Sequence, residues 1–177
     1  MRNSHFILFV LLLSAICTGY FWHCNKKRTF RDRLKYEMDI FEEKKYKDST
    51  YGFYAAYPEF FKCDTISGNY VCFGFHIETN MIIEYFVMPN KKLYSFDNGM
   101  KHIMKENHAR MFKRKKDCFV ISGYYYMDDS QMEGYCYYSK YVYRKRIWYV
   151  CRLIYEEKYK SCLDRLFRMV DGWTVWK

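Results

Sequence analysis

Proline is nearly missing from this chain of 177 residues, which holds only Pro58 and Pro89, and glycine is sparse at eight. A chain so poor in breakers and so rich in apolar residues is far from a disordered profile. The usual catalytic signatures are missing too. There is no GxGxxG, no GKS or GKT phosphate loop and no GxSxG. Ser122 does precede a glycine, but a strand interior is a poor place for a nucleophile. No two cysteines stand as CxxC, which argues against a structural zinc site. His102, Glu106 and His108 are neighbours in sequence, yet zinc on a helix wants histidines four apart and these are six apart. Asp128, Asp129 and Glu133 lack the Asp-x-Asp-x-Asp-Gly spacing of a calcium loop, and they read as a solvated hairpin tip. No catalytic, cofactor or metal residue is assigned on these grounds, and the chain is expected to be non-enzymatic.

What the chain does have begins at its amino end. No charge occurs from Phe6 to Trp22, and residues 1–23 read as a signal peptide or membrane anchor. Phe6 to Leu13 has the length of a signal h-region, with Ser14, Ala15, Cys17 and Gly19 as small residues near a cleavage point. Leu13-Ser14-Ala15-Ile16-Cys17 is also similar to a lipobox, which makes Cys17 a candidate lipidation site, although Ile16 is not the small residue that pattern wants. As an uncleaved anchor the run sits at the lower edge of the roughly 17–25 residues that span a bilayer. Lys26, Lys27 and Arg28 would then hold the following flank in the cytosol by the positive-inside rule. The expected location is the cell envelope, membrane-anchored or exported.

The remainder suits one domain. Half the residues are hydrophobic and 22% are aromatic, with 20 Tyr, 15 Phe and 4 Trp. Aromatic-rich chains with little alanine favour strands. The formal charge of +10 favours anionic partners. Six cysteines lie beyond the leader region: Cys63, Cys72, Cys118, Cys136, Cys151 and Cys162. An exporting compartment permits disulfides.

Residues 24–48 place Phe30, Leu34, Met38 and Phe41 on one helical stripe. They are expected to form a charged amphipathic stalk helix ahead of a single α+β domain over 49–177. Strands are expected over 51–58, around a hairpin at Ser67-Gly68, and over Met81 to Met88. A helix capped by Ser95 or Asp97 carries Phe96, Met100, Ile103 and Met104 on one face. A basic strand or loop, Ala109 to Lys116, precedes three strands: Cys118 to Tyr126, Gly134 to Tyr143 and Arg146 to Tyr155. A helix over Lys158 to Val170 closes the chain, buried along Tyr159, Cys162, Leu163, Leu166 and Val170, with Trp173 and Trp176 folding back. If Ser67 and Gly68 are the two central turn residues, Cys63 stands opposite Cys72. Opposed Cα atoms about 4.5 Å apart lie within disulfide reach, which makes the two a candidate disulfide.

YGFYAAYP at 51–58, DCFVISGYYY at 117–126, YCYYSKYVY at 135–143 and the ending WYVCRLIYEEKYKSCLDRLFRMVDGW resemble PsbP-like and Mog-type domains. The resemblance covers roughly residues 50–175 and implies an antiparallel β-sheet flanked by helices, a PsbP/Mog-like sandwich. A cystatin-like or NTF2-like fold is the structural runner-up. Members include exported bacterial lipoproteins, a photosystem II extrinsic subunit and a Ran-binding factor, which act by binding other macromolecules, so the resemblance carries over no catalytic residue and no cofactor.

Cations interleaved with tyrosines mark a candidate binding surface: Lys113, Arg114, Lys115, Lys116, Arg144, Lys145, Arg146, Tyr141 and Tyr143. The expected partner is another macromolecule, an anionic surface or an acidic protein, with the membrane engaged through the N-terminal segment. The leader and the lack of an RNP motif argue against nucleic acid. Two alternatives stand beside this non-catalytic envelope module. One is a small exported enzyme joining His76, His102 or His108 to a low-pKa thiol. The other is a basic adaptor on polyanions or membrane surfaces.

Overall fold

The computed structural model describes Ser14, Thr18, Gly19 and residues 28–176. The leader, Cys17 and the first residues of the expected stalk otherwise lie outside the described residues. Among the described residues, no helix is long and apolar enough to cross a membrane.

The chain runs α1 (Phe30–Ile40), β1 (Glu43–Asp48), β2 (Phe53–Pro58), β3 (Lys62–Ser67), β4 (Tyr70–Phe75), β5 (Met81–Pro89), α2 (Phe96–Glu106), β6 (Met111–Arg114), β7 (Cys118–Met127), β8 (Ser130–Arg144) and β9 (Ile147–Glu156). A 3-10 turn (Glu157–Cys162) and α3 (Asp164–Gly172) close it. One seven-stranded sheet has the order β3-β4-β5-β9-β8-β7-β6, and β1 and β2 form a separate pair. Every pairing is antiparallel. Helix α2 carries the chain from β5 to the far edge, and the meander β6 to β9 returns to set β9 beside β5. The architecture is the expected antiparallel sheet flanked by helices.

Strands β4, β5 and β9 are buried on both faces, because the sheet is covered on both sides. On the first face, Val71, Phe73, Ile83, Tyr85, Cys151 and Leu153 meet α1, the β1–β2 hairpin and α3. Tyr57 stacks on Phe73 with ring centroids 3.8 Å apart. The tail folds back as expected: Trp173 is buried and its indole N–H donates to the Tyr54 carbonyl at 2.7 Å. On the second face, Phe119, Ile121, Tyr137, Tyr141, Trp148 and Val150 meet, among the helices of the described residues, α2 through Met100 and Ile103. Gly99 allows that contact, since a Cβ there would stand 2.6 Å from the Trp148 ring.

Four local expectations are corrected. The stalk helix over 24–48 is, from Phe30 on, part of the domain. Helix α1 starts at a capping box between Thr29 and Asp32, buries Leu34 and Met38, and ends at Phe41. The lysine-rich second half is β1, paired with β2 from Glu43↔Pro58 to Asp48↔Phe53. The second correction concerns the β3–β4 hairpin, which turns on Gly68 and Asn69 instead of Ser67 and Gly68. Ser67 faces Tyr70, Thr65 faces Cys72, and a bulge at Asp64 sets Cys63 against Phe73. Cys63 and Cys72 therefore do not oppose one another, and both are free. Gly68 supplies the left-handed residue this two-residue turn needs, at φ +52°. In the third case the acidic turn is shorter than expected: Asp128 and Asp129 alone form it, both left-handed, and β8 begins at Ser130. Finally, the C-terminal helix is split at Leu163, so Cys162 closes a 3-10 turn while Leu166 and Val170 lie in α3.

Candidate interaction surface

Three turns meet at one end of the sheet. The Tyr143 amide donates to the Asp117 carbonyl at 2.9 Å, and the Asn90 amide donates to the Arg146 carbonyl at 3.1 Å. The turns after β5, β6 and β8 are thereby held side by side. Together they carry Lys91, Lys92, Lys115, Lys116, Arg144, Lys145 and Arg146, with Arg144 half-buried and the others exposed. Asn90 braces the first turn through hydrogen bonds with Tyr94, donating to its carbonyl and accepting from its amide. The β8–β9 turn has Lys145 at φ +49° and Arg146 at φ +64°. Asn-Gly suits such a turn without penalty, whereas a non-glycine residue there costs about 1 kcal/mol or more. Two long cations are thus held at a tip where local preference would place neither, and strain of this kind concentrates at functional sites.

The expected binding residues do not form one patch. Lys115, Lys116, Arg144, Lys145 and Arg146 share the basic end. Lys113 and Arg114 lie on β6, at the sheet edge, and point to opposite faces. Arg114 pairs with Asp97 of α2 at 2.8 Å and lies over the Phe96 ring. Tyr141 does not belong to the surface, and Tyr143 reaches it only in part. Tyr141 is fully buried, stacks on Phe119 at 4.9 Å, and accepts a hydrogen bond from Arg152 at 3.0 Å. Tyr143 is half-buried against Phe96 and Trp148. Both sit on a strand one place from the sheet centre, where an outward aromatic is covered by α2.

Beside β6 the first face is open, because α3 covers β8 and β9 and stops short of β7. Two adjoining hollows of 310 and 260 Å³ run along β7 there. Tyr138, Tyr155 and Phe167 make the aromatic wall, with Tyr138 and Phe167 rings 5.0 Å apart. Burial holds the Tyr138 and Tyr155 phenols well above their ordinary pKa, and Tyr138 donates to the Asp171 carboxylate at 2.8 Å. Arg110, Lys113 and Lys160 stand at the mouth. Such a groove offers apolar contact beside Arg110, Lys113 and Lys160, with Glu157 and Asp171 also in its lining.

The Cys–His enzyme alternative meets a specific obstacle. His76 lies over Gly74, and both its ring nitrogens are engaged: Nε2 with Asp64 at 2.8 Å and Nδ1 with Asn80 at 3.2 Å. Asp64 is the bulge residue of β3. Burial pushes the Cys72 thiol up to about 11 and the Cys136 and Cys151 thiols upward as well. Such thiols are protonated at neutral pH and poor nucleophiles. His102 is engaged by Glu106 at 3.1 Å, and His108 rests against the Tyr126 ring. The three histidines are thus held by separate local partners. No group of three His, Cys, Asp or Glu side chains among the described residues could hold a metal ion.

Two inward cations, Lys140 buried and Arg152 half-buried, were not anticipated from sequence. Arg152 lies on the second face, 3.3 Å from Glu84, and donates to Ser139, Asn107 and Tyr141. Lys140 lies on the first face and donates to the carbonyls of Asp171 and Trp173 where α3 ends. Each is a lone charge inside an aromatic strand, and that isolation was the available signal.

No family model matches the sequence, and no curated protein matches it. Solved structures do share its fold. Cyanobacterial PsbP (CyanoP) from Synechocystis sp. PCC 6803 superposes with a TM-score of 0.56 at 13% identity, covering 77% of this chain and 94% of that one. The Ran-binding protein Mog1p of Saccharomyces cerevisiae gives 0.50 at 8% identity, covering 77% and 96%. The chain has a PsbP/Mog-like fold. At these identities the likeness concerns architecture alone.

Proposed function

We propose that the chain is a non-catalytic interaction module that holds an acidic macromolecular partner on the basic end of its sheet, at or beyond a membrane. The observation that carries this is the meeting of three cationic turns, one of them built from two left-handed cations. A shared fold with a Ran-binding protein supports a protein partner. The burial-raised thiols and the separately engaged histidines weigh against the enzyme alternative. The uncharged run from Phe6 to Trp22 supports an anchored or exported location in the cell envelope, with Cys17 as the lipidated residue if that run is a lipobox. Anionic lipid or another polyanion is the second reading, favoured by the continuity of the positive charge around the three turns.

The test is a crosslinked pull-down from native envelope, at low and high salt, with the wild-type chain and with Lys115, Lys116, Arg144 and Arg146 reversed to Glu. Exposed charges are screened beyond about 10 Å at 0.1 M salt, so capture of an acidic protein should fall with salt and with the reversal. Capture that ignores both removes this surface. Fractionation checks the location, since unprocessed chain free in the cytosol would contradict it.

A further inference from the structure

We propose that β6 is a docking edge for an extended acidic peptide segment of the partner, which adds an antiparallel strand to the sheet. The proposal rests on the reading above and names the mode of binding.

Among the described residues, strand β6 is the sheet's last strand and pairs only with β7. All its residues are exposed, Met111 at 64% and Phe112 at 56%. The Lys115 amide donates to the Cys118 carbonyl at 2.8 Å. In an antiparallel ladder bonded pairs alternate, so the pairs Lys113↔Val120 and Met111↔Ser122 are the bonded ones in this register. The peptide groups of Phe112 and Arg114 therefore point away from β7, free to pair with an added strand. The opposite edge, β3, is bulged at Asp64, which is a common way of blunting an edge. No register shift interrupts β6.

The side chains select the occupant. Met111 and Lys113 stand on the groove side, and Phe112 and Arg114 on the α2 side. Residues opposite one another in a pair contribute most when apolar meets apolar and charge meets opposite charge. A partner running antiparallel thus places acidic residues opposite Arg114 and Lys113, then apolar residues opposite Phe112 and Met111. Its preceding residues pass Lys115 and Lys116 and gain from further acid. Since Asp97 already engages Arg114, Lys113 is the principal reader. A second copy of this chain is a poor occupant, because β6 against β6 brings two arrays of Arg110, Lys113, Arg114, Lys115 and Lys116 together. The same cations that discourage self-pairing admit an acidic strand.

The experiment uses the solubilised full chain and a fluorescein-labelled peptide with the core Asp-Glu-Asp-Glu-Val-Ile. Anisotropy should report binding that falls with salt and weakens about tenfold in Lys113→Glu. Hydrogen exchange should slow at the amides of Phe112 and Arg114 on saturation, with little change at Met111 and Lys113, which are already bonded. Phe112→Pro removes the outward N–H, which an edge strand tolerates, together with the ring, so Phe112→Ala is the control: it keeps the N–H and should only weaken binding, whereas Phe112→Pro should abolish it while near-UV circular dichroism stays native. The reversed core, Ile-Val-Glu-Asp-Glu-Asp, should bind several-fold more weakly. Equal binding by the reversed core or by oligoglutamate, or binding without protection at Phe112 and Arg114, overturns the proposal. If the peptide fails while reversal at Lys115, Lys116, Arg144 and Arg146 still abolishes envelope capture, the strand mode falls and the basic-end reading survives.

Discussion

The two faces of the sheet solve the same problem with different means. From β4 to β8 the first face is closed by whole elements: α1, the β1–β2 hairpin, α3 and the tail, with Leu34, Met38, Phe53, Leu163 and Leu166 packed onto it. Among the described residues the second face has a single helix, and where α2 runs out the cover is made of polar side chains. Arg152 and Glu84 pair beside the helix end, and further out His76 lies over Gly74. The lesson is that thin cover is compatible with a sheet apolar on both sides when charged groups are fully partnered. It also means that the second face should fail differently when its parts are removed.

The largest expected effect lies on that second face. Glu84→Ala leaves the half-buried Arg152 charged without its carboxylate, and since breaking a fully buried pair costs about 3–5 kcal/mol, the loss here should approach about 3 kcal/mol. Replacing both by Met should recover most of the loss, because the desolvation of two charges disappears with them. Denaturant unfolding of the single and double variants measures it. A single variant within about 1 kcal/mol of wild type would show that this network does not hold the face. On the first face Leu34→Ala opens a void under α1 and should cost about 2–5 kcal/mol. There, no paired charge stands beside the void, so the double-replacement rescue available at Arg152 has no counterpart.

Lys140 gives a smaller effect and sharpens the contrast. Its ammonium sits on the well-covered face and has carbonyls instead of a carboxylate as partners. Burial lowers its pKa, so the charge costs something to keep. Lys140→Met should destabilise by about 1–2 kcal/mol: two carbonyls at the end of α3 lose their donor, and the lost desolvation penalty offsets part of that. The signature to look for is local. Amides of Trp173 and the tail should exchange faster, with the rest of the first face unchanged.

How much of this was legible in the sequence follows from what periodicity can encode. The alternation over Val71 to Phe75, the apolar run from Met81 closed by Pro89 and the 3.6-period stripe over Phe96 to Met104 place two strands and a helix, because these signals are local to the chain. The Ser95 cap and the return of Trp173 were legible for the same local reasons. Residues 43–48 were not: Glu43 to Asp48 is nearly all charged, and only pairing with β2 makes it a strand. Register was missed where one residue decides it, since Ser67-Gly68 and Gly68-Asn69 are both plausible turns and the bulge at Asp64 is a tertiary choice. The candidate site was half legible. The cations of the β6–β7 and β8–β9 turns could be named in advance, but that the two turns touch, and that Tyr141 is buried beneath α2, depends on strand order. The free edge of β6 is a property of topology, which no window of residues contains.

The smallest effect is at the outer corner of the second face, and it is a pH dependence. His76 is held by Asp64 and, more weakly, by Asn80, and these hydrogen bonds raise its pKa above the ordinary value. A group whose folded pKa lies above its unfolded one stabilises fully below the unfolded value, about 6.5 for histidine, and loses that contribution as pH rises through the folded one. Stability should therefore be slightly greater near pH 5.5 than near pH 8. The His76 side chain is 46% exposed, so solvent screening limits the gain to a few tenths of a kcal/mol. Asp64→Asn keeps the shape of the bulge residue and removes the charge, and it should flatten this difference without moving the Phe119–Tyr141 core. Urea midpoints of the wild type and the variant at the two pH values decide it. An equal pH dependence in both would mean that His76 lies over Gly74 for its shape alone, and that this corner, unlike the Glu84–Arg152 pair, is closed by packing.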